Sequence, residues 1–132
     1  QYLPGDEAAR LTEYYDVQTA VVAMMADNML PSIPNPVSSA VATNNMAAFP
    51  DVTSNVSNGD KIFDSFFDVF IFPGDKTGYL LYDHDIIADG SAAISLADYV
   101  SFATSTWYYT IDADGTVHQW SDPAKTVEYT YP

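Results

Sequence analysis

The sequence predicts an α+β domain, one long N-terminal helix packed on an antiparallel β-meander, and three observations carry that expectation. Residues 6–28 hold apolar side chains at helical spacing, residues 31–60 are rich in Pro, Ser, Thr and Asn, and residues 61–132 alternate short apolar runs with turn residues. The 132 residues suit a single domain that buries its own core, and a 48% hydrophobic content places the chain among folded proteins.

The helix opens at Asp6, whose carboxylate can accept from the unpaired amides of the first turn, and Glu7 complements the positive end of the helix dipole. Tyr14, Val17, Val21, Met24 and Met25 recur every three or four positions, with Leu11 and Val22 widening the stripe, so this face is expected on the sheet. Arg10, Thr12, Glu13, Asp16 and Asp27 fall on the wetter side. The helix stops at Asp27-Asn28 and leaves through Leu30-Pro31.

Residues 31–60 carry four prolines and little periodicity, and read as one long irregular connection of the kind that lies on a surface or carries function. Within it Asn55-Val56-Ser57 is an N-glycosylation sequon, which makes Asn55 a candidate attachment point.

Strands are expected next. Phe66–Phe72 is aromatic and β-branched and ends at the turn Pro73-Gly74-Asp75, after which Gly78–Asp83 reads as its antiparallel partner. Thr106–Ile111 and Thr116–Trp120 flank Asp112-Ala113-Asp114-Gly115, where Gly115 suits the left-handed position of a bulged hairpin. Ser95–Ala103 fits a short strand or helical turns equally well, and Thr126–Tyr131 alternates like an edge strand.

Charge excludes one large class of partner. Four Lys and Arg face 18 Asp and Glu, and a net charge of −14 repels nucleic acid and anionic membrane surfaces. Fifteen of the acids are Asp, a residue of turns and caps. Without cysteine there is no disulfide framework, thiolate metal site or cysteine nucleophile. Ten tyrosines suit half-buried sheet positions and subunit contacts alike.

Catalytic patterns are missing: Gly-x-Ser-x-Gly, His-Glu-x-x-His and glycine-rich phosphate loops do not occur, so neither enzymatic activity nor a cofactor is expected. His84 and His118 read as surface histidines, and the carboxylates flanking His84 would favour its charged form. Asp112-Ala113-Asp114-Gly115 lacks the third ligand and the distal Glu of a calcium loop. Asp83, Asp85 and Asp89, near the end of a strand, are the candidate ligands for a hard cation such as calcium.

The run Val17–Ser32, with its helix ending on Asp27-Asn28 before Leu30-Pro31, resembles the membrane-distal half of the N-terminal helix of type IV pilins and type II secretion pseudopilins. The similarity continues through Asn35-Pro36-Val37, Ala42–Met46, Phe49-Pro50-Asp51, Gly74–Tyr79 and Tyr109–Val117, in that order over roughly residues 10 to 120. It implies a pilin-like fold in which residues 31–60 correspond to the αβ-loop, and a non-enzymatic filament subunit of the cell surface or extracellular space. Its partners would be copies of itself or related pilin-like subunits, with Tyr14, Val17, Val21 and Met24 as the packing face. The family carries about 20 apolar residues ahead of this helix, enough to cross a bilayer. The longest apolar run here, Ala20–Ala26, is too short, so no membrane span is expected within the chain. The alternative is a secreted carbohydrate-binding or adhesin module, with Trp107, Tyr108, Tyr109 and Trp120 stacking on surface glycans and the two tryptophans facing each other across the hairpin.

Overall fold

Between Gly5 and Asp27 the chain contains no further glycine and no proline, and helix α1 runs unbroken over Gly5–Asp27. The computed structural model describes residues 5–37, 41–57, 59, 61–63, 69–71, 74–85 and 96–130; the Asp6 side chain lies outside that set. At its end Met29 takes a left-handed φ of 53°, Met29 N–H donates to Ala26 O at 3.2 Å and Leu30 N–H to Met25 O at 2.9 Å. This is a Schellman closure with methionine where glycine is usual. It turns the chain back so that Ile33 N–H reaches Ala113 O at 2.7 Å.

The strands are β1 (Thr43–Asn45), β2 (Pro50–Val56), β3 (Lys61–Phe63), β4 (Val69–Ile71), β5 (Lys76–Leu80), β6 (His84–Asp85), β7 (Leu96–Ala97), β8 (Thr104–Ile111), β9 (Val117–Trp120) and β10 (Glu128–Tyr129). All pairs are antiparallel, so the α+β class holds. Among the described residues they form one four-stranded sheet, β1-β8-β9-β10, and three two-stranded ladders, β2-β5, β3-β4 and β6-β7, rather than a single meander.

Helix α1 lies on the β8–β9 hairpin. Val17, Val21 and Met24 are fully buried against Tyr109, Ile111 and Val117, with Ile33, Met46, Phe49 and Leu81 completing the core. Each such side chain contributes about 1.5–3 kcal/mol by leaving water. Tyr14 is half-buried at the margin. Val22 does not widen the buried stripe; one position round from Val21, it is 60% exposed.

Two expectations about the middle of the chain are corrected. Residues 31–60 include β1, a 3-10 turn at Met46–Ala48 and the seven-residue β2. The fully buried Asp51 carboxylate organises this segment: it accepts from Asn35 N–H at 2.9 Å, Ser54 N–H at 3.0 Å and the Ser54 hydroxyl at 2.6 Å. Such a node is invisible to periodicity because it joins one side chain to distant backbone amides.

Among the described residues, the aromatic stretch and the strand after its turn do not pair with each other. β4 pairs with β3 and β5 with β2, while residues 66–68 and 72 of the predicted strand lie outside the described set. Gly78 explains the β2–β5 choice: its φ is +88° and a Cβ there would sit 2.8 Å from Asp51 O, so only glycine lets the two backbones approach.

Candidate functional site

Among the described residues, the most concentrated chemistry is a buried polar cluster where α1 ends against β5 and β6. Asn28, Lys76 and His84 are 4%, 6% and 0% exposed. The Lys76 ammonium donates to Asn28 Oδ1 at 3.0 Å, and His84 Nε2 lies 3.0 Å from the same oxygen and 3.2 Å from Lys76 Nζ. Asn28 Nδ2 donates to Met24 O at 2.8 Å, which fixes the plane of the amide.

The tautomer of His84 follows from its other contact. Leu80 N–H donates to Nδ1 at 3.3 Å, so in the neutral ring Nε2 carries the proton and donates to Asn28 Oδ1. Two donors thus converge on one carbonyl oxygen. Burial and then the neighbouring Lys76 charge push the His84 pKa down to about 3, against the opposing pull of Asp85. His84 is therefore a neutral core residue, not the charged surface histidine its flanking aspartates suggested. Burial also lowers the Lys76 pKa to about 8, with Asp85 acting the other way.

Aromatic rings wall the cluster. Lys76 Nζ stands 4.7 Å from the centre of the Tyr79 ring, and the His84 ring packs between Tyr79 and Tyr99 at 6.0 and 6.1 Å. The Tyr99 hydroxyl donates to Asp27 Oδ2 at 2.9 Å, and burial together with that carboxylate raises its pKa. The sequence held a signal for this cluster that periodicity missed: Lys76 is one of only four basic residues, and Asn28 closes the helix.

Two of the three predicted cation ligands lie within the described residues. Asp89 lies outside the described residues, Asp83 is exposed with a φ of 57°, and Asp85 is half-buried beside Lys76. Asp83 and Asp85 line an open hollow of about 560 Å³ with Asn55, Asp75 and Thr77. Among the described residues no three carboxylates or histidines gather as a metal site. Asn55 is exposed in β2, where its Oδ1 accepts from the Thr77 hydroxyl at 3.1 Å.

The aromatic hairpin is divided between two faces. Register places Tyr108 opposite Trp120 and Tyr109 opposite Gln119, so Trp107 and Trp120 are not cross-strand partners. Tyr109 is fully buried and Trp107 packs against the core, leaving Tyr108 and Trp120 on the other face. On that face His118 bridges Asp112 Oδ2 at 2.9 Å and Glu128 Oε2 at 2.7 Å.

The packing face of α1 is supplemented by polar stitches. Gln18 clamps the hairpin end, donating to Gly115 O at 2.9 Å and accepting from Val117 N–H at 3.0 Å. Arg10 and Glu13, assigned to the wetter side, both engage the sheet: Arg10 stacks on Tyr129 at 4.3 Å, and Glu13 accepts from the amides of Thr106 and Trp107 at 2.9 and 3.0 Å. Among the described residues no helix is long and apolar enough to cross a membrane. Comparison with protein-family models, curated proteins and solved structures finds no match to this chain.

Proposed function

We propose that this chain is a non-enzymatic structural subunit of a cell-surface or extracellular filament of the pilus or pseudopilus kind, acting through association with copies of itself or related subunits. The observation that carries the reading is the two-sided character of α1. One face is buried on the subunit's own hairpin, while the other keeps Tyr15 48% and Val22 60% exposed beside the exposed, small Ala23 and Ala26. A helix with apolar side chains on both sides is suited to pack on its own sheet and against a neighbour. The segment from Pro31 onward, with exposed Val52, Thr53 and Asn55, is the surface such an assembly would display.

Association of chains carrying −14 charges has to outweigh repulsion. Assembly should therefore strengthen with salt, because screening shortens the reach of like charges to about 8 Å at physiological ionic strength. Light scattering and negative-stain microscopy over a salt and concentration series, on protein carrying its native N-terminus, test this. Assemblies that grow with salt and are lost in a Tyr15→Asp, Val22→Asp double variant support the reading. A species that stays monomeric throughout overturns it.

A further inference from the structure

The cluster at the end of α1 places a primary amine, a carboxamide and a hydrogen-bond donor together in a dry environment, and that combination has a chemistry of its own. We propose that Lys76 and Asn28 condense into an intramolecular isopeptide bond, a covalent tie between the C-terminal end of the helix and strand β5.

The step balances without any co-reactant. The lone pair of the neutral Lys76 amine attacks Asn28 Cγ, and the carbonyl electron pair moves onto Oδ1. A proton passes from Nζ to Nδ2, the Cγ–Nδ2 bond breaks, and the carbonyl re-forms. One amide replaces another, one ammonia leaves, and nothing is oxidised or reduced.

Approach, carbonyl polarisation and amide orientation each rest on a named residue, and the proton passes directly between the two nitrogens. Lys76 Nζ already lies 3.0 Å from Asn28 Oδ1, so the fold holds the amine beside the carbonyl, and a small shift of Nζ from the oxygen toward Cγ starts the attack. His84 Nε2–H, 3.0 Å from Asn28 Oδ1, polarises the carbonyl and stabilises the negative charge that develops there. The Leu80 amide holds that tautomer through Nδ1. The Asn28 amide is kept in plane by Met24 O, so the nucleophile meets one fixed carbonyl orientation. With its pKa lowered to about 8, Lys76 holds about a tenth of its population as neutral amine at pH 7 and about half at pH 8. Burial of all three residues, none more than 6% exposed, limits the water that would compete for the carbonyl. His84 is a positioning and polarising residue here, and the reacting atoms belong to Lys76 and Asn28.

Mass spectrometry of the purified chain tests the bond. The intact mass is expected to fall short of the sequence mass by one ammonia, and to return to it on Lys76→Met. An N-terminal glutamine also sheds ammonia by cyclising, so the digest decides. Trypsin has four sites, Arg10, Lys61, Lys76 and Lys125. An acylated Lys76 resists cleavage, so the digest should contain residues 62–125 as one piece joined through Asn28 to residues 11–61. His84→Phe, which keeps a ring between Tyr79 and Tyr99, should lower the fraction of branched peptide in freshly prepared protein. Recovery of separate 11–61, 62–76 and 77–125 peptides from protein aged for days above the lysine pKa overturns the proposal. So does a branched peptide that survives Lys76→Met.

Discussion

Glu13 and Tyr109, 96 positions apart in the chain, meet at 2.8 Å, where the tyrosine hydroxyl donates to the same carboxylate oxygen that accepts the Trp107 amide. The other oxygen takes the Thr106 amide at 2.9 Å. One helix side chain thus serves as the missing hydrogen-bond partner for the start of β8, and Gln119 extends the link by donating to the Tyr109 oxygen at 2.8 Å and to Arg10 O at 3.0 Å.

Removing that carboxylate leaves two strand amides and a buried phenol without their acceptor. Hydrogen bonds to charged groups contribute about 1.5–3 kcal/mol each, less where solvent can replace the partner. Because the Thr106 contact is exposed, Glu13→Ala should cost about 2–4 kcal/mol in total. Denaturant unfolding should show a lower midpoint with an unchanged slope, and a cost below about 0.5 kcal/mol would contradict the assignment of Glu13 as an anchor.

Val21 and Val22 are adjacent and chemically identical, yet one is fully buried and the other 60% exposed. Val21→Asp places an unpaired charge between α1 and the hairpin and should cost at least about 3 kcal/mol, enough to abolish soluble folding in a marginally stable domain. Val22→Asp should change monomer stability by no more than about 0.5 kcal/mol. Thermal melts of the pair read the helix face directly, and equal effects would mean that α1 is rotated from the orientation described.

Helix α1 and the β8–β9 hairpin were legible in the sequence because each rests on local chemistry: apolar spacing of 3.6 in one, and strand alternation around Asp112–Gly115 in the other. The mate of β5 was not legible, because the choice of β2 depends on Gly78 admitting the Asp51 carbonyl, a contact across 27 residues that leaves no periodic trace. Lys76 and His84 were hidden for a related reason. Flanking residues set the expected charge of His84, whereas the fold surrounds it with Asn28, Tyr79 and Tyr99 from elsewhere and removes the water. Glu13 read as polar, which it is, but its partners are backbone amides that no side-chain pattern reveals.

Gly78 and Gly115 separate two components of a glycine's role. Both have left-handed φ, +88° and +93°, so alanine at either incurs about 1–2 kcal/mol of backbone strain. At Gly115 the added Cβ meets Met25 Sδ at 2.8 Å, the end of a flexible side chain that can swing aside. At Gly78 it meets Asp51 O at 2.8 Å, a backbone atom fixed in the β2–β5 ladder. Gly78→Ala should therefore be the more destabilising of the two by at least about 1 kcal/mol. The order of melting temperatures checks it, and Gly115→Ala melting below Gly78→Ala would show that the two strands separate easily.

The two histidines drive stability in opposite directions with pH, and His84 should dominate. Its folded pKa of about 3 lies below the ordinary 6.5, so the unfolded chain binds a proton that the folded chain refuses. Stability falls as pH drops from about 6.5 toward 3, with a slope approaching 1.4 kcal/mol per unit once the unfolded residue is fully protonated. For His118, burial opposes the charge, but the hydrogen bonds to Asp112 and Glu128 outweigh it and raise the pKa. Its contribution is fully present below 6.5 and fades as pH rises through the raised value, and solvent screening of this half-exposed bridge keeps it under about 1 kcal/mol. Between pH 6.5 and the carboxylate range, unfolding free energy should therefore decline with acid in the parent. His118→Gln should leave the slope in this interval nearly unchanged and remove a contribution that varies with pH only above about 6.5, whereas His84→Phe should flatten the decline even if that variant is less stable at neutral pH. Denaturant titrations at several pH values in low and high salt check this, since salt should weaken the His118 effect and leave the His84 slope in place. A parent stability that rises on acidification through this interval would mean that His84 is protonated in the folded protein and that water reaches the cluster at the end of α1.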